Sequence, residues 1–291
     1  MSNKFAFVIL HYNEKTLNDT HECIESLREI SKNYNYKIYV VENGSNDTSA
    51  NLLLKKYSKY NDIKIVISEK NLGFANGNNL GSKEAIKDFQ PDFLIVLNND
   101  TYIKQKNFLK KVVDLYLKED FWVLGPYIYD KNLEPQNPLT SILETKEQVM
   151  KSLLYLNLKL KIIKNGEIYY KIFNKIKNLI IKSKKKSLNK IDKGYNLPLH
   201  GACLIFSNKY FYKFDEIFDS RTFMYGEEDI LYQRLRRHNL KILYSSEIEI
   251  YHKEDSSTNK SYQTEYKKEI FILENKIKSL KVLKSIFIGD K

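Results

Sequence analysis

The chain has few of the features that mark secreted, metal-stapled or membrane-spanning proteins. Its two cysteines, Cys23 and Cys203, lie far apart in 291 residues. This spacing fits neither a disulfide framework nor a zinc-ligand pattern, and it favours a reducing compartment. No apolar run approaches the roughly 20 residues that a membrane-spanning helix needs, and the N-terminus lacks the segments of a signal peptide. We therefore expect a cytoplasmic protein, long enough to bury a sizeable core.

Arginine is absent from the region where most of the positive charge is concentrated. The net charge of +12 predicts an anionic partner such as a nucleotide, a nucleic acid or a membrane surface. Nearly all of this excess falls between residues 141 and 193, where every basic residue is lysine. Surfaces that read bases use arginine, and the chain has no helix-turn-helix, zinc-finger or RNA-recognition signature. We expect no nucleic-acid partner.

The same lysine-rich segment carries apolar residues at helical spacing. Basic amphipathic helices bind anionic lipid surfaces. We therefore expect the segment to hold the protein at the inner face of the cell membrane as a peripheral protein. The alternative is a lysine-coated insertion that packs on the rest of the chain. A second basic amphipathic helix is predicted from about Tyr262 to Ile286.

The first hundred residues alternate between short apolar runs and amphipathic stretches. Strands are predicted at Phe5–Leu10, Lys37–Val41, Ile63–Ile67 and Phe93–Leu97, with helical patterns between them. This alternation is typical of βαβ units that form a parallel sheet with helices on its faces.

Each of these strands ends in a polar or glycine-rich stretch. The four stretches are Tyr12-Asn13, Glu42-Asn43, the predicted loop Asn71–Asn79, and Asn98-Asn99-Asp100. The carboxyl ends of parallel strands lie on one edge of a sheet, so the four should converge on one nucleotide-type crevice. In the Asn98-Asn99-Asp100 stretch, one carboxylate beside two amides suits a divalent cation that is also bound by phosphates.

A second acidic cluster, Glu227-Glu228-Asp229, opens a helix predicted to reach Arg237. Favourable helix-end electrostatics could alone explain three acids there. Gly226 and the aromatic residues before it indicate instead that the acids emerge from a tight, enclosed bend. His252 follows the second of two further predicted strands, Leu240–Leu243 and Ile248–Tyr251.

Six blocks, taken in order, resemble those of the family-2 glycosyltransferases, which are inverting enzymes with the GT-A fold. The closest likeness is to the bacterial rhamnosyltransferase-like branch. The blocks are Val8–Asn13, Val40–Ser45, Asn71–Gly81, Leu97–Thr101, Gly201-Ala202 and Phe223–Asp229. They cover about residues 5–130 and 198–258, and leave the lysine-rich segment outside.

The resemblance implies a Rossmann-like, mostly parallel α/β sheet flanked by helices. Residues 1–130 would form the nucleotide-sugar-binding half and residues 196–258 the acceptor-binding and catalytic half. Outside the resemblance, the charge and apolar patterns predict a basic amphipathic helical insertion over residues 140–195 and a C-terminal basic helix over residues 259–291.

The resemblance also implies a role for each matched residue. Asp100 and His252 would ligate Mn²⁺ or Mg²⁺, and Tyr12 would stack near the base. Glu228 would be the catalytic base; Asp229 is the alternative, because this chain has Glu-Glu-Asp where the family usually has Glu-Asp. The nucleotide sugar would be bound by His11, Tyr12, Asn13, Glu42, Asn71, Gly73, Asn76, Asn98, Asn99 and Asp100, and the acceptor by His200, Gly201 and Glu227.

The implied reaction moves rhamnose or a hexose from a dTDP- or UDP-sugar to a glycan, expected to be lipid-linked, in capsule or cell-wall polysaccharide synthesis. Such a transfer needs one carboxylate to accept a proton and a cation to neutralise the leaving diphosphate, which matches two separate acidic clusters. The alternatives are a metal-dependent nucleotidyltransferase and a non-enzymatic membrane- or glycan-binding module. A nucleotidyltransferase usually has a basic glycine-rich loop after its first strand, and residues 11–14 do not form one.

Overall fold

The computed structural model of the chain describes residues 3–140, 142–180, 191–254 and 264–289. Residues 181–190 of the predicted lysine-rich segment lie outside the described residues, as does the predicted start of the C-terminal helix at Tyr262.

Strands and helices alternate through the first half of the chain. The strands are β1 (Lys4–His11), β2 (Asn35–Glu42), β3 (Ile63–Ile67), β4 (Phe93–Asn98), β5 (Thr101–Tyr102), β6 (Val123–Tyr129), β7 (Lys193–Tyr195), β8 (Cys203–Ser207) and β9 (Ile242–His252). The helices are α1 (Leu17–Ser31), α2 (Ser49–Tyr57), α3 (Gly73–Phe89), α4 (Phe108–Glu119), α5 (Lys146–Ile163), α6 (Glu167–Ile180), α7 (Asn208–Lys213), α8 (Glu227–Arg237) and α9 (Glu265–Ile288).

One mixed sheet joins these strands in the order β3-β2-β1-β4-β8-β6-β9-β5, with β7 paired to β9. Strands β3, β2, β1 and β4 are parallel, whereas β8 runs antiparallel to β4. The predicted α/β architecture is thus confirmed, and the strand direction changes at β4. The two strands predicted within residues 240–251 are one strand, β9, which pairs with β6 across a register shift at Pro126/Tyr127.

Both faces of the sheet are buried, which explains why its inner strands read as continuous apolar runs. Phe5, Phe7 and Ile9 of β1 pack in one core with residues of α1 and α4. Ala6 and Val8 face the opposite side, in a core shared with α3 and α8.

The loop predicted over residues 71–79 is wrong, because α3 begins at Gly73. The asparagines that suggested a loop hold the start of the helix. The Asn71 side chain accepts the Gly73 N–H at 2.8 Å, and the Asn43 side chain accepts the Leu72 N–H at 3.0 Å. Gly81 lets α3 approach the sheet, since a Cβ there would lie 2.6 Å from Val41 and 2.7 Å from Val8.

Helices α5 and α9 form a third layer beside α8. Their contact is a small separate core that contains Val149 and Leu153 of α5, Ile230 of α8, and Ile277 and Leu283 of α9. Among the helices of the described residues, none has the length and apolar character to cross a membrane.

Replacing Ile95 by alanine should lower the free energy of unfolding by about 2–5 kcal/mol, because it leaves a cavity in the central strand β4. Ile95 is fully buried, whereas Ile67 on the edge strand β3 is 49% exposed. Ile67→Ala is therefore the matched control and should cost less than about 1 kcal/mol. Urea unfolding measures both, and equal losses for the two variants would contradict the described packing.

Candidate active site

A cavity of about 620 Å³ opens at the carboxyl ends of β1 and β4 and is closed by helices α5, α8 and α9. The wall at the strand ends contains Tyr12, Asn43, Asn71, Gly73 and the Asn98-Asn99-Asp100 run. Its other walls contain His200, Gly201, Glu227, Glu228, Asp229, Leu139, Leu143, Ser152, Tyr155, Leu156, Lys276, Ser279, Leu280 and Leu283. Both acidic clusters of the sequence thus face one cavity.

The run that leaves β4 is fixed by hydrogen bonds. The Asn98 N–H donates to the Ala202 carbonyl at 3.0 Å, which ties the end of β4 to the residue before β8. The Asn99 side chain donates to the Thr20 hydroxyl at 2.9 Å. These contacts turn the buried Asp100 carboxylate towards the cavity.

Asp100 and His252 lie together because β5 pairs with β9, which places Thr101 opposite His252. The His252 Nε2 is 3.2 Å from the Asp100 Oδ1. The His252 Nδ1 is 2.8 Å from the Gln136 Oε1, and the Gln136 amide nitrogen donates to Glu254. Because Glu254 fixes the amide orientation, Nδ1 is the nitrogen that donates to Gln136, and Nε2 is the nitrogen that faces Asp100.

The Asp100 carboxylate and the His252 imidazole together would fit one divalent cation whose other ligands came from a diphosphate. Among the described residues no group of three or more His, Cys, Asp or Glu side chains is arranged for a metal ion. Asp100 and His252 would supply one oxygen and one nitrogen, leaving the other positions to phosphate oxygens and water. The imidazole nitrogen favours Mn²⁺ over Mg²⁺, which is bound mainly through oxygen atoms.

Four of the predicted donor-side residues do not line the cavity. His11 is buried, with its Nδ1 2.7 Å from the Thr20 hydroxyl. Asn13 accepts the Lys15 N–H at 2.9 Å, and Glu42 accepts the Ser45 N–H at 2.9 Å. Asn76 donates to the Ser220 carbonyl at 2.9 Å. Asn43, which belongs to the predicted Glu42-Asn43 stretch but was given no binding role, lines the cavity.

The three acids at the start of α8 have raised pKa values. Burial raises the pKa of Glu228, although its hydrogen bond from the Gly201 N–H and the charge of Lys276 oppose this. Burial and then the charge of Glu228 raise the pKa of Asp229 to about 7 and that of Glu227 to about 8. A Cβ at residue 201 would lie 2.5 Å from the Glu228 Oε1, so a larger residue there would displace this carboxylate.

His200 lies between the two clusters. Its ring centre is 5.7 Å from that of His252, and its Nδ1 accepts the Ala202 N–H at 3.0 Å. Burial, and then the nearby His252, lower the pKa of His200 to about 4. The imidazole is therefore neutral at pH 7, with Nε2 carrying its proton.

Helices α5 and α9 contribute cavity residues that the sequence pattern did not indicate. Ser279 of α9 is 2% exposed and Glu227 of α8 is 3% exposed. The Ser279 hydroxyl and the Glu227 Oε1 are both buried without a hydrogen-bond partner among the described residues. Such atoms are costly unless a ligand satisfies them. The one sequence signal for this wall of the cavity was a polar residue, Ser279, within the apolar face of α9.

Residues 6–181 match the family model described as glycosyl transferase family 2. The chain belongs to this family. The match includes α5 and α6, which the predicted resemblance left out, and it ends before β8. The chain is 21% identical over 244 residues to the low-salt glycan biosynthesis hexosyltransferase Agl10 of Haloferax volcanii, covering 83% of this chain and 64% of that protein.

Solved structures of S. aureus TarS are similar in fold. The crystal structure of TarS 1–349 has a TM-score of 0.52 and 15% identity, covering 94% of this chain and 70% of that one. Its complex with UDP-GlcNAc has a TM-score of 0.54 and 15% identity, covering 99% and 71%. These likenesses confirm the predicted GT-A-like fold. The rhamnosyltransferase-like branch stays a prediction.

Replacing Glu227 by glutamine should raise the melting temperature by at least ~3 °C near pH 8.5, and by much less near pH 5. The folded-state pKa of Glu227 lies above its unfolded value, so its contribution to stability is present below about pH 4.5 and is lost as the pH rises through about 8. Because glutamine does not ionise, the variant does not lose this stability as the pH rises. The control is Glu69→Gln at an exposed position. If the melting temperatures of Glu227→Gln and wild type differed by the same amount at both pH values, the Glu227 carboxyl would not be buried and protonated.

Proposed function

We propose that this family-2 enzyme is an inverting, cation-dependent glycosyltransferase that moves rhamnose or a hexose from a dTDP- or UDP-sugar to a glycan acceptor. The observation that carries the proposal is the placement of two acidic groups around one cavity: Asp100 with His252 at the donor end, and Glu228 with Asp229 at the other end. The relative named as a glycan-biosynthesis hexosyltransferase and the TarS complexes with UDP and UDP-GlcNAc support it.

The donor end has the groups that a nucleoside diphosphate needs. Tyr12 offers an aromatic ring to the base, and the amide nitrogen of Asn71 offers a polar contact beside it. Asp100 and His252 would hold the cation. When bound, this cation would neutralise the negative charge that develops on the leaving nucleoside diphosphate.

Glu228 is the best placed of the three acids to act as the base. It alone of the three accepts a hydrogen bond from the Gly201 N–H, which opposes the rise that burial gives its pKa. The charge of Lys276 opposes that rise at both Glu228 and Asp229. Glu227 keeps its proton at neutral pH because of burial and the charge of Glu228. An acceptor hydroxyl would attack the anomeric carbon and give its proton to Glu228, while the bond from that carbon to the diphosphate breaks.

The acceptor end of the cavity is lined by leucines as well as acids. Leu139, Leu143, Leu156, Leu280 and Leu283 form its apolar wall. An apolar wall beside the proposed catalytic base suits an acceptor substrate with both a sugar and a hydrocarbon part. This supports a lipid-linked glycan acceptor, as in capsule or cell-wall polysaccharide assembly.

A product assay tests the proposed reaction. The purified protein with MnCl₂ is incubated with UDP- and dTDP-sugars, with and without alkyl-glycoside acceptors. Release of UDP or dTDP is expected with at least one donor. Release of pyrophosphate from a sugar phosphate and a nucleoside triphosphate would instead indicate the nucleotidyltransferase alternative.

Glu228→Gln should lower turnover by at least ~10²-fold while UDP affinity stays near that of wild type, because the variant loses only the proton acceptor. Asp229→Asn is the matched control and should retain most of the activity. Diphosphate release measures turnover, and calorimetry measures UDP binding. A larger loss in Asp229→Asn than in Glu228→Gln would assign the base to Asp229.

Asp100→Asn should remove most of the Mn²⁺ dependence of UDP binding, and His252→Gln should weaken this dependence by roughly 10-fold or more. Titration calorimetry with UDP, in MnCl₂ and in EDTA, measures the effect. His238→Gln, at an exposed histidine, should behave as wild type. An unchanged ratio of the two affinities in Asp100→Asn would rule out this cation site.

A further inference from the structure

The helical hairpin α5–α6 presents apolar side chains to solvent on the side away from the small core it shares with α9. Val149, Leu153 and Ile163 are buried. The exposed side chains are Met150, Leu154, Tyr155 and Leu158 of α5 and Ile168, Tyr169 and Ile172 of α6, with exposed fractions between 43% and 74%. Apolar residues concentrated on one surface mark a contact with a partner or a membrane.

The charges around this surface have one predominant sign. Residues 146–175 contain seven lysines and two acids. Lys159 and Lys164 pair with Glu269 and Glu274 of α9, and Lys171 pairs with Glu167. Lys151, Lys161 and Lys175 are exposed and have no ion pair among the described residues. These three lysines lie in sequence beside the exposed apolar residues.

We propose that this surface of α5–α6 docks on an anionic phospholipid bilayer. The exposed leucines and isoleucines would enter the boundary between headgroups and acyl chains, and the three lysines would contact lipid phosphates. Charge complementarity selects this partner, because a polyanionic headgroup layer matches lysines that the protein itself leaves without ion pairs. The proposal goes beyond the proposed reaction.

The docked surface continues into the active-site cavity. Tyr155 is 51% exposed and also lines the cavity, and Ser152 and Leu156 of the same helix lie in the cavity wall. Helix α5 therefore separates the bilayer from the apolar end of the cavity. An acceptor whose hydrocarbon part stays in the membrane reaches Glu228 past Tyr155. This last step alone rests on the proposed function.

Vesicle flotation of the full chain tests the docking. Wild type should float with phosphatidylcholine vesicles that contain about 30 mol% phosphatidylglycerol, and much less with pure phosphatidylcholine. Raising NaCl from about 0.1 M to about 0.5 M should weaken binding. The Lys151→Glu/Lys161→Glu/Lys175→Glu variant should bind the anionic vesicles at least ~10²-fold more weakly.

An apolar variant and a matched control distinguish binding through the α5–α6 surface from a general effect of exposed apolar residues. Leu154→Ser/Leu158→Ser/Ile172→Ser should lose most vesicle binding. Leu117→Ser/Leu133→Ser, at positions 78% and 72% exposed elsewhere, should keep it. The melting temperature and UDP binding should be unchanged in all variants, and they report whether each variant is folded. They also distinguish a failure of docking from a failure of the proposed reaction.

Two results would overturn the proposal. One is wild-type protein that does not float with anionic vesicles; the other is flotation that both hairpin variants retain. Self-association of wild type that the apolar variant abolishes, seen by light scattering without vesicles, would assign the surface to a second copy of the chain instead.

Discussion

The change of strand direction at β4 is the constraint on which the site depends. Parallel strands bring the polar ends of β1, β2 and β4 to one edge of the sheet. Because β8 is antiparallel to β4, its start lies at that same edge, and the Asn98 N–H bonds the Ala202 carbonyl there. Asp100 and Gly201 thereby meet at one cavity, and Gly201 holds Glu228.

The two acidic groups have different surroundings and therefore suit different tasks. The Asp100 Oδ1 lies 3.2 Å from the His252 Nε2, a placement that suits a shared cation. Glu227, Glu228 and Asp229 lie in an enclosed bend where burial favours the protonated form, and the charge of Lys276 counteracts this at Glu228 and Asp229. Separating the pKa values of neighbouring carboxyls is how a site assigns acid and base roles.

The sequence predicted the sheet and both acidic clusters because their signals are local: apolar runs, strand ends and a glycine before a helix. It failed at residues 71–79, where Asn43, from another strand end, helps to turn apparent loop residues into the start of α3. It also missed Ser279 and Lys276, since only the long-range packing of α9 against α5 and α8 brings them to the cavity. His11, Asn13, Glu42 and Asn76 matched family blocks but do not line the cavity, which no local pattern reveals.

A crystal structure with UDP and Mn²⁺ tests the central claim, a single cavity with a donor end at Asp100 and a catalytic end at Glu228. We predict that the cation contacts Asp100, His252 and the diphosphate. The nucleobase should lie beside Tyr12, and the acids of α8 should be free to face a sugar at the end of the diphosphate. A nucleotide bound outside this cavity, or a cation that Asp100 does not touch, would contradict this claim.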